Sequence, residues 1–292
     1  MIKIVEEFKT HIMEDGKSIN TIQSYVGDVS AFLKYLGTMN VEFDGVLKRF
    51  YITSYKNYLI DNSYEPATIN KKVNSIGAFN NFLIWKGYMQ ENVIDLKKDR
   101  VKIAVGSEHQ VEVYSDNQLE RLQFYIQNQK KVSIRDKMII QLLMFTGVRV
   151  SELCDIKLKN IDFLLSQIKI IGKGGKVREV PAKFEAMDTI EEYISERNNN
   201  PYKDSEFLIL GQRGEIQRDA VNTLLEKHTV RGNFEMKLKP HTFRHTFCTR
   251  LVAKGIPITT VSKLAGHSSI ETTAKFYINS SKEEKMRAVS ML

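Results

Sequence analysis

A chain of 292 residues with 42% hydrophobic side chains is long enough for two domains of ordinary size, each with its own core. Its formal net charge of +8 favours a polyanionic partner, although lysine-rich solvated faces give a similar sum in proteins that bind no nucleic acid. Its two cysteines, Cys154 and Cys248, exclude a secreted disulfide framework and fit a cytoplasmic protein with buried thiols; Lys3, Glu6, Glu7 and Lys9 leave no room for a signal-peptide core, and no apolar run approaches a membrane span.

Residues 1–104 predict helix after helix. The first covers 2–13 and is followed by Gly16. Ser18 or Asn20 can cap a second, in which Ile22, Tyr25, Val26, Phe32, Leu33 and Leu36 recur at helical spacing and Gly37 closes the pattern. A third fits 46–60. The fourth begins at Pro66, carries Ile69, Val73, Ile76, Phe79, Phe82 and Leu83, and ends near Gly87. Four such helices make a small domain. Lys71, Lys72 and Lys86 either meet phosphates or lie on a solvated helix face, and the sequence alone leaves both readings open. From Lys97 the chain turns polar and charged without a sustained period, so a linker is expected over 105–114.

A second domain is expected over 115–292. Ser115 with Gln118 forms a capping-box pattern that opens a helix carrying Leu119, Leu122 and Ile126. Residues 139–145 are apolar nearly all round, as in a helix at the centre of a domain, and Gly147 ends them. Arg149 follows at once. A guanidinium so near the end of a buried helix calls for an anion, either Glu152 in a structural ion pair or a ligand. Residues 167–171 and 176–180 predict two strands joined through Gly172-Lys173-Gly174-Gly175, which sets Lys173 at the mobile tip of a hairpin. This is no Walker loop, because the earlier glycine and the Ser or Thr after the lysine are both missing. Helices follow at 185–197 and 218–227, with a short strand at 207–210 between them. The fold class is therefore mainly α: a helical N-terminal domain plus a mixed α/β, mostly helical domain with a small antiparallel sheet.

The stretch 240–277 carries the densest chemistry. Pro240 suits the first turn of a helix, so His241 and Arg244 project from one face while Phe243, Phe247 and Leu251 bury the neighbouring stripe. A short helix over 258–264 presents Ile258, Val261 and Leu264, and Gly266 is placed to end it in a left-handed cap, so that His267 emerges at a tight turn. Further on comes Tyr277, a side chain able to form covalent intermediates. His241 and His245 have the spacing of paired zinc ligands, but Thr242 follows His241 and the glutamate base of that motif is missing. Taken singly, a histidine such as His267 is more often a structural cap or surface residue, and a tyrosine such as Tyr277 more often a packing residue.

Taken together, Thr146-Gly147-Val148-Arg149-Val150-Ser151-Glu152-Leu153, Gly172-Lys173-Gly174, His241-Thr242-Phe243-Arg244-His245, Leu264-Ala265-Gly266-His267 and Tyr277 resemble the tyrosine recombinase (phage integrase) family in order and spacing. The match is to its small two-domain members of the Xer type. Asn20-Thr21-Ile22-Gln23-Ser24-Tyr25 also looks like the opening of the family's helical core-binding domain. Two departures stand out. Tyr277 lies one residue farther from His267 than in the Xer-type pattern, and Val93 follows Asn92 where the family commonly continues with proline.

The resemblance implies a site-specific recombinase that cleaves and rejoins duplex DNA through a 3′-phosphotyrosyl link, exchanging strands in a homotetramer on DNA. In that reading Tyr277 is the nucleophile, Arg149 and Arg244 hold the phosphate, and His241 and His267 add hydrogen bonds, with His241 also assisting removal of the tyrosine proton. Lys173 matches the general acid, and Glu152 orients the cations. No nucleotide cofactor or metal is implied. The two domains would clamp the duplex, and the tail over 281–292 would form a helix that docks on the neighbouring protomer or packs on its own domain. A second recombinase or an accessory protein is a further partner to consider, with no membrane role. The rival readings are a type IB topoisomerase and a non-enzymatic DNA-binding regulator.

Overall fold

A computed structural model describes residues 2–102, 112–267, 269–278 and 290. The chain divides into two units, Met1–Glu108 and His109–Leu292. Residues 103–111, in which most of the expected linker falls, and the expected tail helix apart from Ser290 lie outside the described residues.

In the first unit four helices turn apolar stripes toward a shared core: α1 (Ile2–Glu14), α2 (Ile19–Thr38), α3 (Arg49–Asp61) and α4 (Pro66–Trp85). Ser18 caps α2 by accepting from the Thr21 amide, and Pro66 occupies the first turn of α4, both as the local sequence predicts. Phe8, Phe32, Phe79 and Phe82 are fully buried, and Phe8 meets Phe79 edge-on with ring centroids 5.2 Å apart. Two boundaries move. The second helix runs through Gly37 to Thr38, and the third begins at Arg49 rather than 46.

Polar side chains complete this unit in ways that periodicity does not register. Asp28, 5% exposed, pairs with Lys71 at 2.9 Å and Lys72 at 3.2 Å and accepts from the Ser75 hydroxyl at 2.7 Å. Lys86 pairs with Glu7 at 3.0 Å. All three lysines left between phosphate contact and solvent are thus held by carboxylates. The aperiodic stretch after Lys97 begins with a single helical turn, α5 (Leu96–Asp99), tied down by the buried Asp99 against Arg49. Asn70 exchanges both of its amide hydrogen bonds with the backbone of Val101.

The second unit is built round one buried helix. The capping box of Ser115 and Gln118 opens α6 (Asp116–Asn128). Next comes α7 (Ile134–Thr146), whose Met138, Ile139, Ile140, Leu142 and Leu143 are all fully buried. It packs on α9 (Phe184–Arg197) and α11 (Pro240–Ala253). The single-turn α8 (Val150–Cys154) leads into an antiparallel sheet of β1 (Ile161–Asp162), β2 (Gln167–Ile171) and β3 (Val177–Pro181). Register pairs Ile168 with Val180 and Ile170 with Arg178. The residues 207–210 expected as a strand are mostly not one. Leu208 instead donates its amide to Ile156 at 2.7 Å, and only a two-residue hairpin forms, β4 (Leu210–Gly211) with β5 (Gly214–Glu215). Then come α10 (Arg218–Arg231), α12 (Ile258–Ala265) and α13 (Ile270–Ile278), with α11, α12 and α13 packed on one another. The expectation of a mainly α chain with a small antiparallel sheet is borne out. Among the described residues no helix is long and apolar enough to cross a membrane.

Candidate active site

Two helices in the second unit end in left-handed glycines, and both ends receive arginines. Gly147 closes α7 at φ +61 and Gly266 closes α12 at φ +66, a conformation that costs little only without a side chain. Space adds a second requirement. A Cβ on Gly147 would lie 2.3 Å from the Phe247 ring, and one on Gly266 would lie 2.6 Å from Arg178 Nη1. The exposed carbonyls of these helix ends carry partial negative charge. Arg244 Nη1 donates to the Gly147 carbonyl at 2.7 Å, Arg149 Nη2 to Gly266 at 2.8 Å, and Arg178 Nε to Leu264 at 2.9 Å.

Glu152 joins two of these cations. Its carboxylate, in a residue 5% exposed, accepts from the backbone amide and Nη1 of Arg149, both at 2.8 Å. It also accepts a bidentate pair from Arg178 at 3.0 and 2.8 Å. Burial pushes its pKa up, but the Arg178 hydrogen bond, then the Arg149 amide and the two charges, hold it below the ordinary carboxylate value. The sequence reading anticipated the pairing of Arg149 with Glu152 and missed Arg178. A signal was present: alternation along β3 places Arg178 on the same face as the buried Val180 and leaves Val177 exposed, so an arginine occupies an inward strand position.

Arg244 is 2% exposed, and its Nη2 has no hydrogen-bond partner among the described residues. Burial first, then the charge of Arg149, lowers its pKa to about 10. The other buried arginine among the described residues, Arg197, shows what saturation looks like, since its guanidinium donates to the carbonyls of Leu208, Lys203, Ser205 and Phe207. A buried cation with an unused donor is a place for an anion.

Histidines surround that place. His241 and His245 lie one turn apart on α11 with ring centroids 4.4 Å apart, and His267 follows Gly266, its Nδ1 2.8 Å from the Thr273 hydroxyl. Crowding by protein and then the charges of Arg244 and Arg149 hold His241 below its ordinary pKa. Burial, then the nearby positive groups, pushes His245 and His267 down to about 4. All three shifts favour the neutral imidazole, which presents one donor and one acceptor. The start of α11 is fixed by Tyr114, the last residue of the expected linker. Its hydroxyl accepts from the Lys239 amide and donates to the Lys237 carbonyl, and its ring packs 4.8 Å from Phe243. No group of three or more His, Cys, Asp or Glu among the described residues is placed to hold a metal.

Of the sequence-derived candidates, Arg149 and Arg244 lie within electrostatic reach of each other, and His241 and His267 each lie within reach of both. Lys173 lies in a short 3-10 turn, Lys173–Gly175, between β2 and β3. Tyr277 lies in α13, which packs against α11 and α12. The side chains of Lys173 and Tyr277 fall outside the described residues.

Comparison with known proteins agrees with the motifs. Residues 112–284 match the model of the phage integrase family, and residues 5–87 match that of the phage integrase N-terminal SAM-like domain. A tyrosine recombinase of Pseudothermotoga lettingae is 29% identical over 100% of this chain and 99% of its own length. The tyrosine recombinase XerC of Staphylococcus epidermidis is 31% identical over 94% of this chain and 92% of its own. Among solved structures, the Tn1549 transposon integrase in complex with transposon right end DNA superposes with a TM-score of 0.74 at 20% identity, covering 99% of each chain.

Proposed function

This chain belongs to the phage integrase family, and from that premise we propose that it is a site-specific DNA recombinase of the Xer type, cutting and rejoining duplex DNA in the cytoplasm through a phosphotyrosyl link at Tyr277. The relatives are recombinases over both units of the chain, and the similarly folded transposon integrase was solved on transposon DNA. The observation that carries the chemistry is Arg244, a buried cation with an unused donor beside Arg149.

The Tyr277 oxygen attacks the scissile phosphorus, forming a P–O bond to the enzyme while the bond to the 5′-oxygen breaks. Negative charge gathers on the non-bridging oxygens. Arg149 and Arg244 meet it with guanidinium donors already fixed on helix ends, so little reorganisation is needed as charge develops. His241 and His267, held neutral, donate hydrogen bonds, and a neutral His241 can take the tyrosine proton. Lys173 supplies the proton for the departing 5′-oxygen. Because the phosphotyrosyl link conserves the phosphodiester energy, a 5′-hydroxyl from the same or another strand reseals it without ATP. Strand exchange between two sites calls for four protomers, and the tail beyond Tyr277 is suited to join them. A second recombinase or an accessory protein is the further partner to look for.

Covalent trapping tests this reading. Nicked duplexes tiled across the DNA flanking the gene are incubated with the protein and with Tyr277→Phe, then separated under denaturing conditions. We expect an adduct confined to one short sequence and absent from the variant. Adducts on every duplex would instead indicate a topoisomerase, and tight binding with no adduct anywhere would indicate a regulator.

A further inference from the structure

Among the described residues, Arg178 is the guanidinium of the site with a protein acceptor at each of its three nitrogens. It is 14% exposed, and its Nε, Nη1 and Nη2 are all engaged, by Leu264 O and both oxygens of Glu152. The contrast with Arg244 is direct, since one arginine spends its donors on the fold and the other keeps one unspent. The plane and direction of the Arg178 guanidinium are therefore set by protein at all three nitrogens.

Its three hydrogen bonds reach two separate parts of the site, Leu264 and Glu152, and its own strand leads to a third. Leu264 is in the last turn of α12, just ahead of Gly266, whose carbonyl holds Arg149, and of His267. Glu152 holds Arg149 through the same oxygen, Oε1, that accepts from Arg178 Nη1. Arg178 itself stands on β3, opposite Ile170 on the strand that leads to Lys173. A Cβ placed on Gly172, the residue before Lys173, would lie 3.5 Å from Glu152 Oε1 and 3.7 Å from Arg178 Nη1. Bidentate pairing from Arg178 fixes the plane of the carboxylate, so that the one side-chain hydrogen bond from the Arg149 guanidinium, to Oε1, is held in direction while the Arg149 amide meets Oε2. A buried glutamate is also kept ionised only while cations surround it.

We propose that Arg178 is a positioning residue for strand cleavage, fixing the Glu152 carboxylate and the Leu264 to His267 turn so that the Arg149 guanidinium is held for the scissile phosphate. This deepens the recombinase reading and rests on it. Arg178 touches no DNA in this account. It acts through Glu152, and its loss leaves Arg149 chemically intact but loosely aimed.

The test is the single-turnover rate of adduct formation on the nicked duplex that the wild-type protein cleaves, with DNA affinity and thermal midpoint measured alongside. Arg178→Met and Arg178→Lys should slow cleavage about 10- to 100-fold, less than the ~10²–10³ expected for loss of a direct donor, with DNA affinity unchanged. In a Glu152→Gln background the further loss from Arg178→Met should shrink to within about 3-fold, the mark of two residues acting as a unit. A scissile methylphosphonate, which lacks one non-bridging negative charge, should narrow the gap between wild type and Arg178→Met. A 5′-bridging sulfur, which leaves without needing a proton, should rescue Lys173→Ala but not Arg178→Met. Equal rates for wild type and Arg178→Met, full additivity with Glu152→Gln, or a defect indifferent to the methylphosphonate would each overturn the proposal. Absence of an adduct with the wild-type protein on every duplex overturns the recombinase reading itself, and this inference with it.

Discussion

Arg149 donates through Nη2 to the carbonyl of Gly266, 117 residues away in sequence and 2.8 Å away in space. The end of one helix thus holds the guanidinium that follows the end of another, and the Gly147 carbonyl holds Arg244 from within α11. Both contacts need a left-handed residue at the helix end, which gives the glycines of Thr146-Gly147-Val148-Arg149 and Leu264-Ala265-Gly266-His267 a physical reason.

Gly266→Ala should damage cleavage more than folding. An L-residue at φ +66 costs about 1–2 kcal/mol, and its Cβ would strike the tip of Arg178, which can move only by releasing Glu152 or Leu264. Gly147→Ala strikes the Phe247 ring at 2.3 Å and should mainly unfold the unit. Denaturant unfolding, compared with adduct rate at a temperature where both variants are folded, separates the two. Equal stability losses with unchanged rates per folded molecule would refute the distinction.

Arg244→Met should abolish activity without the usual penalty for a core substitution. It removes a buried charge with an unpaired nitrogen and its desolvation cost, which offsets the loss of the hydrogen bond to Gly147, and leaves an apolar chain of similar reach. The DNA-free thermal midpoint should therefore hold or rise, while adduct formation falls by at least ~10²-fold. A loss of about 2–5 kcal/mol, as in ordinary large-to-small core truncations, would show that Arg244 serves the fold.

Most of the architecture was legible because it rests on local pattern. The capping box at Ser115, the all-round apolar α7 and the glycine ends at Gly147 and Gly266 each announce themselves within a few residues. What stayed hidden depends on pairing across distance. Asp28 gives no sign of its link to Lys71 and Lys72, nor Tyr114 of its grip on Lys237 and Lys239. Arg178 lies between these cases, since strand alternation turns it inward but only the fold supplies Glu152. The short strand expected at 207–210 failed because four apolar residues in a row mark burial without specifying a ladder partner.

Val93→Pro should destabilise the first unit, although the family resemblance leads one to expect proline after Asn92. The Val93 amide donates to Asn80 Oδ1 at 3.1 Å, and Asn80 is fully buried with its Nδ2 already unpartnered among the described residues. Proline has no N–H, so the substitution would leave the other end of the amide unpaired as well, at a cost of about 1–3 kcal/mol. Urea unfolding would measure this. Adding Asn80→Leu should recover part of the loss in the proline background, and failure to recover any would point to backbone strain instead.

Stability without DNA should fall between pH 6.5 and 4.5, and phosphate in the site should oppose the fall. His245 and His267 are held down to about 4 from an ordinary 6.5, chiefly by burial and then by neighbouring positive groups, and His241 is lowered too. For a base with a depressed folded pKa the unfolded chain takes up protons first as pH drops. The stabilisation present above 6.5 is therefore lost as pH falls toward 4. The depressed carboxylates Glu152, Asp28 and Asp136 act lower: their contributions are complete above the ordinary values of 4.5 and 3.8 and disappear as pH falls through their lower folded values. The window above 4.5 thus belongs to the histidines. A bound phosphodiester neutralises Arg149 and Arg244, raises the histidine pKa values and makes binding take up protons. Thermal midpoints measured across this range should decline for the wild type, decline less for His267→Gln, and hold up better with cleavable duplex present. A midpoint flat from pH 6.5 to 4.5 in the free protein would mean that these histidines keep ordinary pKa values.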